Sequence, residues 1–217
     1  MTTFVALLRA VNVSVQNKVP MAELRASMTA AGYGNVRTYL QSGNVVFDAD
    51  ADADAGRQAA AAQDLATAIH QVIAREFDLD VKALVLTAAE LAQAAAANPF
   101  LPALGAGSAA RTEPDAEAAV DEKSLHVTFL EEPAPEAAFG GLALPAQPGE
   151  QAMLAAGGRF IYLSLPHGYG RTKLNNSYFE RHLGATATTR NWRTVRALVE
   201  MSAHHPARGA TARVTPR

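Results

Sequence analysis

Val36-Arg37-Thr38-Tyr39-Leu40-Gln41-Ser42-Gly43-Asn44-Val45-Val46-Phe47 is the stretch whose reading decides the fold of the first half. Val36, Thr38 and Leu40 recur at the two-residue period of a strand with one buried face. Ser42-Gly43 interrupts that period, and Asn44 to Phe47 returns as an apolar run. Two short runs joined at a glycine that tolerates φ > 0 predict a β-hairpin. On its N-terminal side, Phe4 to Leu8 is an apolar run suited to a strand covered on both faces. A loop from Ala10 to Lys18 follows. Pro20 then opens a helix with Met21, Leu24, Met28 and Ala31 on one stripe, which stops at Gly32. On the C-terminal side, Leu65, Ile69, Val72 and Ile73 form a second helical stripe, and Val81 to Leu86 another strand. The resulting order, β-α-β-β-α-β, is the split βαβ of a ferredoxin-like unit.

The remainder repeats this order loosely. Thr87-Ala88-Ala89-Glu90 is a capping box that starts a helix running to Asn98-Pro99. From Pro99 to Glu122 the chain is rich in Pro, Gly, Ala and acid without periodicity. Leu125 to Leu130 reads as a strand and Pro135 to Leu142 as a glycine-broken helix. Gln151 to Ala155 and Arg159 to Leu163 flank Gly157-Gly158 as a hairpin. Leu174 to Leu183 is a helix, Ala185 to Ala187 a short strand, and 190–202 a helix with Trp192, Val195, Val199 and Ser202 on one stripe. The expected fold is α+β: two ferredoxin-like (βαββαβ) units with antiparallel sheets and extra helices, the second divergent. The units are expected at 1–98 and 124–203, with a flexible linker or insertion at 99–123 and a basic disordered tail at 204–217.

At 217 residues the chain has room for one large domain or two small ones. It contains no cysteine, which excludes disulfides, thiolate metal sites and cysteine nucleophiles. No apolar run reaches the ~18 residues of a membrane span, and MTTFVALLRA lacks the basic n-region and cleavage site of a secretory signal. The expectation is a cytoplasmic protein without a membrane partner. The net charge of −2 conceals an asymmetry: residues 1–158 carry 9 basic and 19 acidic side chains, residues 159–217 carry 10 and 2. A basic C-terminal part either docks on an acidic half or meets a polyanion or phosphate.

That basic part holds two expected helix starts with unusual charge. His167-Gly168-Tyr169-Gly170-Arg171-Thr172-Lys173 leads into LNNSYFERHL, and Thr188-Thr189-Arg190-Asn191-Trp192-Arg193 leads into TVRALVEM. A helix N-terminus carries partial positive charge, so cations there favour an anion as compensation. Lys18, just before the Pro20 helix, makes a third such start. The candidate anion site therefore takes charge from Arg9, Lys18, Arg171, Lys173 and Arg190. Asn12, Gln41, Asn44, Asn175 and Asn191 supply polar readout. Two plainer readings stand beside it: Arg9 and Asn12 simply organise a turn, and Gln41 to Asn44 is an ordinary hairpin bend.

Several familiar chemistries fail on spacing. Asp48-Ala49-Asp50-Ala51-Asp52-Ala53-Asp54 lacks the glycine and glutamate of an EF-hand, with Ala53 and Ala59 in those places. His70, His126, His167, His182, His204 and His205 form neither HxxxH nor HExxH, and no metal or cofactor is expected. The 168–173 loop lacks P-loop spacing, and Ser42 has no nucleophile-elbow context. Trp192, on the stripe with Val195 and Val199, is expected in the core.

FVALLRAVNV…NKVPMAEL at 4–24, VRTYLQSGNVVF at 36–47, NPF at 98–100 and LHVTFL at 125–130 resemble the bacterial family catalogued as domain of unknown function 1697. So does IYLSLPHGYGRTKLNN…ATTRNW at 161–192. The usual pattern of that family has glycines after Arg9 and around Ser14, where this chain has Ala10, Val13 and Val15. The resemblance implies two ferredoxin-like α+β units and a cytoplasmic protein, with no established activity.

The leading functional expectation is a protein that binds a phosphorylated ligand between the two units: a nucleotide, a phosphorylated small molecule or a nucleic acid. FVALLR and NVVF lack the aromatic pattern of an RNA-recognition sheet. One alternative is an enzyme on a small phosphorylated or carboxylated substrate, with His167 or Tyr169 transferring the proton. The other is a protein–protein module.

Overall fold

The computed structural model describes residues 1–12, 17–51, 54–101 and 121–204. The middle of the first loop (Val13, Ser14, Val15), Ala53 of the acidic run, most of the 99–123 linker, His205 and the tail beyond it lie outside the described residues. The described chain is mixed α+β, with two four-stranded antiparallel sheets and six α-helices.

The first sheet contains β1 (Thr2–Leu8), β2 (Gly34–Tyr39), β3 (Asn44–Ala49) and β4 (Ala83–Thr87) in the order β2-β3-β1-β4. Helices α1 (Met21–Ala30) and α2 (Ala55–Phe77) connect its strands. The second sheet contains β5 (Leu125–Leu130), β6 (Gln151–Leu154), β7 (Phe160–Ser164) and β8 (Ala187–Asn191) in the order β6-β7-β5-β8. Its helices are α4 (Glu136–Gly140) and α5 (Asn176–Leu183), while α3 (Ala88–Ala96) and α6 (Trp192–Ala203) pack on each other between the sheets.

Local chemistry accounts for these elements. The Thr87–Glu90 capping box is complete: the threonine hydroxyl accepts from Glu90 N–H and the Glu90 carboxylate accepts from Thr87 N–H. Met21, Leu24 and Met28 are the buried face of α1, which follows Pro20. Alternation along β1 sends Phe4, Ala6 and Leu8 to the core under α1 and α2, and Val5 and Leu7 to the opposite face. That opposite face is one wall of a second core, completed by Leu91 and Ala94 of α3, Val127 and Phe129 of β5, and Trp192, Val195 and Leu198 of α6. Trp192 is therefore core, as its stripe predicts. Tyr162, fully within this layer, donates its hydroxyl to Ala94 C=O, and burial raises its pKa to about 12. The two sheets thus share apolar surface, and neither half buries its β1 or β5 face alone.

Some boundaries differ from expectation. β8 is longer than 185–187 and takes in Arg190, because Val127, Thr128 and Phe129 of β5 pair with Arg190, Thr189 and Thr188. Helix α6 consequently begins at Trp192 rather than at 190. Helix α5 begins at Asn176, two residues later than expected, since Leu174 N–H is taken by the Thr172 hydroxyl.

Two backbone positions in the first loop and hairpin are sterically demanding. Gly43 has φ 72°, and a Cβ there would lie 2.4 Å from Val11 Cγ2 and 2.7 Å from Leu8 Cβ. Ala10 has φ 55° at the position where the resembled family has glycine. A left-handed alanine carries a steric cost that glycine avoids. Gly43→Ala should lower unfolding free energy by about 2–4 kcal/mol, from strain plus overpacking. Ala10→Gly should raise it by about 0.5–1 kcal/mol, less than the full steric relief because glycine has the more flexible unfolded chain. Urea unfolding of both variants checks the opposite signs.

Candidate functional site

β8 is an edge strand of the second sheet, and it lies along the end of the first sheet where β1 stops and β3 starts. Arg190 projects from β8 into that end and is 9% exposed. Its Nε donates to Asn44 Oδ1, and its Nη1 to Thr188 Oγ1 (2.8 Å) and Thr189 C=O (2.9 Å). Nη2 donates to Leu8 C=O at 2.8 Å and reaches Ser42 C=O and Gly43 C=O at 3.3 and 3.5 Å. All three nitrogens face neutral oxygens, and among the described residues no carboxylate pairs with this guanidinium. Burial pushes Arg190 down to about 10, against an opposing effect of Tyr169, so the group stays charged at neutral pH. A buried cation without a counter-ion persists only where every N–H is satisfied.

A second clamp stands beside it. Arg9 Nε and Nη2 donate to the two oxygens of Glu180 on α5 at 2.7 and 2.6 Å, a bidentate pair. Glu180 also accepts from Ala187 N–H at 2.9 Å, tying α5 to β8. Burial pulls the Glu180 carboxyl upward, but the bonds from Arg9 and Ala187 outweigh it and leave its pKa below the ordinary value. The hydrogen bonding to Glu180 is the largest influence raising Arg9, and Tyr169 acts on Arg9 as it does on Arg190. Tyr169 therefore stands within electrostatic reach of both guanidiniums. Its hydroxyl accepts Asn176 N–H at 3.3 Å and its ring stacks on His126, centroids 5.3 Å apart.

Of the expected site residues, Arg9, Asn12, Asn44, Tyr169 and Arg190 are drawn to this seam, largely in structural roles. Asn12, at φ 54°, donates to Val19 C=O and Gln41 C=O and accepts from Val19 N–H, locking the first loop to the hairpin turn. Asn44 donates to Tyr39 C=O and the Ser42 hydroxyl while it accepts from Arg190. Lys18, Gln41, Arg171 and Lys173 are exposed. Asn175 and Asn191 are the N-caps of α5 and α6, each accepting from a helical N–H three residues on.

The premise of cations at helix starts holds for Arg193, in the first turn of α6, and is corrected for the others. Arg190 is a strand residue buried in the seam. Arg171 and Lys173 precede the α5 cap, and Lys18 precedes the Pro20 cap of α1, whose first turn holds Glu23. A basic run before a cap was indistinguishable in sequence from a basic first turn. His167, expected as a proton donor or acceptor, has its Nε2 committed to Pro148 C=O at 3.1 Å.

His126 is the histidine that sequence reasoning passed over. Burial lowers its pKa, opposed by the bond between Nδ1 and Ser124 C=O at 3.1 Å. A carbonyl only accepts, so Nδ1 carries the proton and the neutral ring keeps its lone pair on Nε2. The signal was weak: two polar residues, His126 and Thr128, alternating within the strand LHVTFL.

A model of the protein family of unknown function DUF1697 matches residues 1–162. In solved structures, the fold is similar to the conserved bacterial protein SP0830 from Streptococcus pneumoniae. The identity is 23% and the TM-score 0.56, covering 93% of this chain and 98% of that one. No curated protein matches the chain. Arg9, Asn12, Lys18, Gln41 and Asn44 fall inside the matched span, and the arginine that fills the seam falls beyond it.

Arg190→Met should destabilise the protein by about 3 kcal/mol, because it orphans buried carbonyls on both halves. The Arg9–Glu180 pair has a definite pH signature. A carboxyl with a depressed folded-state pKa contributes stability above its unfolded value, near 4.5, and loses that contribution as pH falls through the folded-state value. Unfolding free energies between pH 7 and pH 3 should therefore fall more steeply for the parent than for Arg9→Met.

Proposed function

The chain belongs to the DUF1697 family, whose function is unknown, and from the chemistry of the seam we propose that it binds a phosphorylated ligand, a nucleotide or a nucleic-acid segment. In this reading the halves are two ferredoxin-like units, the second divergent, a reading supported by the strand orders β2-β3-β1-β4 and β6-β7-β5-β8. The ligand lies where the first loop, the 40–43 turn and the 165–175 loop meet.

The observation that carries the proposal is Arg190: a buried cation answered by neutral oxygens, with Arg9 and Tyr169 beside it. Positive potential at the seam is only locally offset by Glu180, and it favours an anion at the rim. The exposed Lys18, Arg171 and Lys173 belong to the first loop and the 165–175 loop, and in this reading they are the groups that contact phosphate. Gln41, with an exposed side chain, supplies polar readout. Arg9, Asn12, Asn44 and Arg190 hold the loops in register, and Asn175 and Asn191 order the helices behind them.

Thermal shift measurements with AMP, a hexose phosphate and a short oligonucleotide test this reading. One of the three should raise Tm, and the rise should disappear in Lys18→Ala and in Arg171→Ala/Lys173→Ala, whose own Tm stays at the parent value. If the oligonucleotide is the ligand, its affinity should fall steeply between 50 and 200 mM salt, roughly as the number of neutralised phosphates dictates. No rise with any of the three, or an undiminished rise in both variants, overturns the proposal.

A further inference from the structure

A cavity of about 550 Å³ lies outside the seam, between α6, the end of β2 and the 3₁₀ turn Glu122–Ser124 that leads into β5. Its volume is in the range of small-molecule sites. Two faces of its wall are firm. Tyr39 closes β2, its carbonyl held by Asn44 and its ring packed on the shared core. Opposite, Arg196 Nη1 donates to both oxygens of Glu122 at 3.1 and 2.9 Å, joining α6 to the 3₁₀ turn. Ala197 is the small residue on the α6 side, leaving room above Tyr39.

The charges in this wall are balanced rather than basic. Asp121, Glu122 and Glu200 stand against Lys123, Arg193 and Arg196. Arg196 is committed to Glu122, and the Asp121 carboxylate accepts the Lys123 backbone N–H; the side chains of Lys123 and Arg193 remain as cations, and that of Glu200 as an anion, with no partner among the described residues. Arg193 is the second residue of α6, and Glu200 lies seven residues on, roughly 10 Å along the axis. The helix dipole reinforces this polarity, since an anion is favoured toward the start of α6 and a cation toward its end.

We propose that this cavity is a binding site for a small linear zwitterion. Its anionic group sits against Arg193 and Lys123, its cationic group against Glu200, and its apolar middle over Tyr39 and Ala197. A polyanion such as a nucleotide fits this lining poorly, because three carboxylates offset the three cations. The site is thus separate from the phosphate reading of the seam and does not depend on it.

Isothermal titration of the full chain with 6-aminohexanoate tests the assignment, with hexanoate and hexylamine as half-ligands. Saturable binding of 6-aminohexanoate is expected, with each half-ligand at least tenfold weaker. Glu200→Gln and Arg193→Gln should each weaken binding at least tenfold while keeping the parent Tm, as neither side chain has a partner among the described residues. Should either variant lose Tm, Ala197→Gln provides the check, since it fills the cavity from an incompletely buried position and should abolish binding. The assignment is overturned by absence of saturable binding to the parent, by a half-ligand that binds as tightly as the zwitterion, or by undiminished binding in folded Glu200→Gln or Ala197→Gln.

Discussion

One guanidinium holds the register between the two halves of this protein. Arg190 leaves β8 and meets oxygens of Leu8, Ser42, Gly43 and Asn44 on one side and of Thr188 and Thr189 on the other. A lysine offers three donors from a point and would leave several of these acceptors unanswered; the planar fork of arginine reaches them together. The cage has a geometric precondition in Gly43, whose missing side chain lets the hairpin turn close onto Leu8 and Val11. That approach presents the carbonyls at the end of β1 and in the turn to a single incoming group.

The apolar layer behind the cage explains why the arrangement is rigid. Val5 and Leu7 of β1, Leu91 of α3, Val127 and Phe129 of β5 and Trp192 of α6 bury one another across the two sheets. Separating the halves would expose this layer to water as well as strip Arg190 of its acceptors. The directional cage and the non-directional core act on the same interface. The core supplies the larger share of attraction and the cage specifies which loops meet.

Much of the fold was legible because the signals were local. The hairpin at 36–47, the Thr87–Glu90 capping box and the Pro20 helix each depend on residues within a few positions of one another. The candidate site was legible in part. Arg9, Asn44, Tyr169 and Arg190 do gather, but none of them stands in the first turn of a helix; of the cations near helix starts only Arg193 does. Whether Arg190 belongs to a strand or a helix is decided by pairing with β5, more than sixty residues upstream. His126 was missed for the same reason, since its burial and its stack on Tyr169 come from a loop over forty residues away.

The sequence by itself determined the alternation of strands and helices, the special turn at Gly43, the excess of cations after residue 158 and the absence of thiol chemistry. These follow from periodicity, backbone sterics and composition, which need no partner across space. Only the tertiary structure decided that Arg190 is buried and caged by neutral oxygens, that Arg9 is spent on Glu180, and that Lys18, Arg171 and Lys173 stay exposed. A charged side chain reads the same in sequence whether it holds the protein together or waits for a ligand. Its role depends on which oxygens surround it, and those come from segments of the chain that only folding brings together.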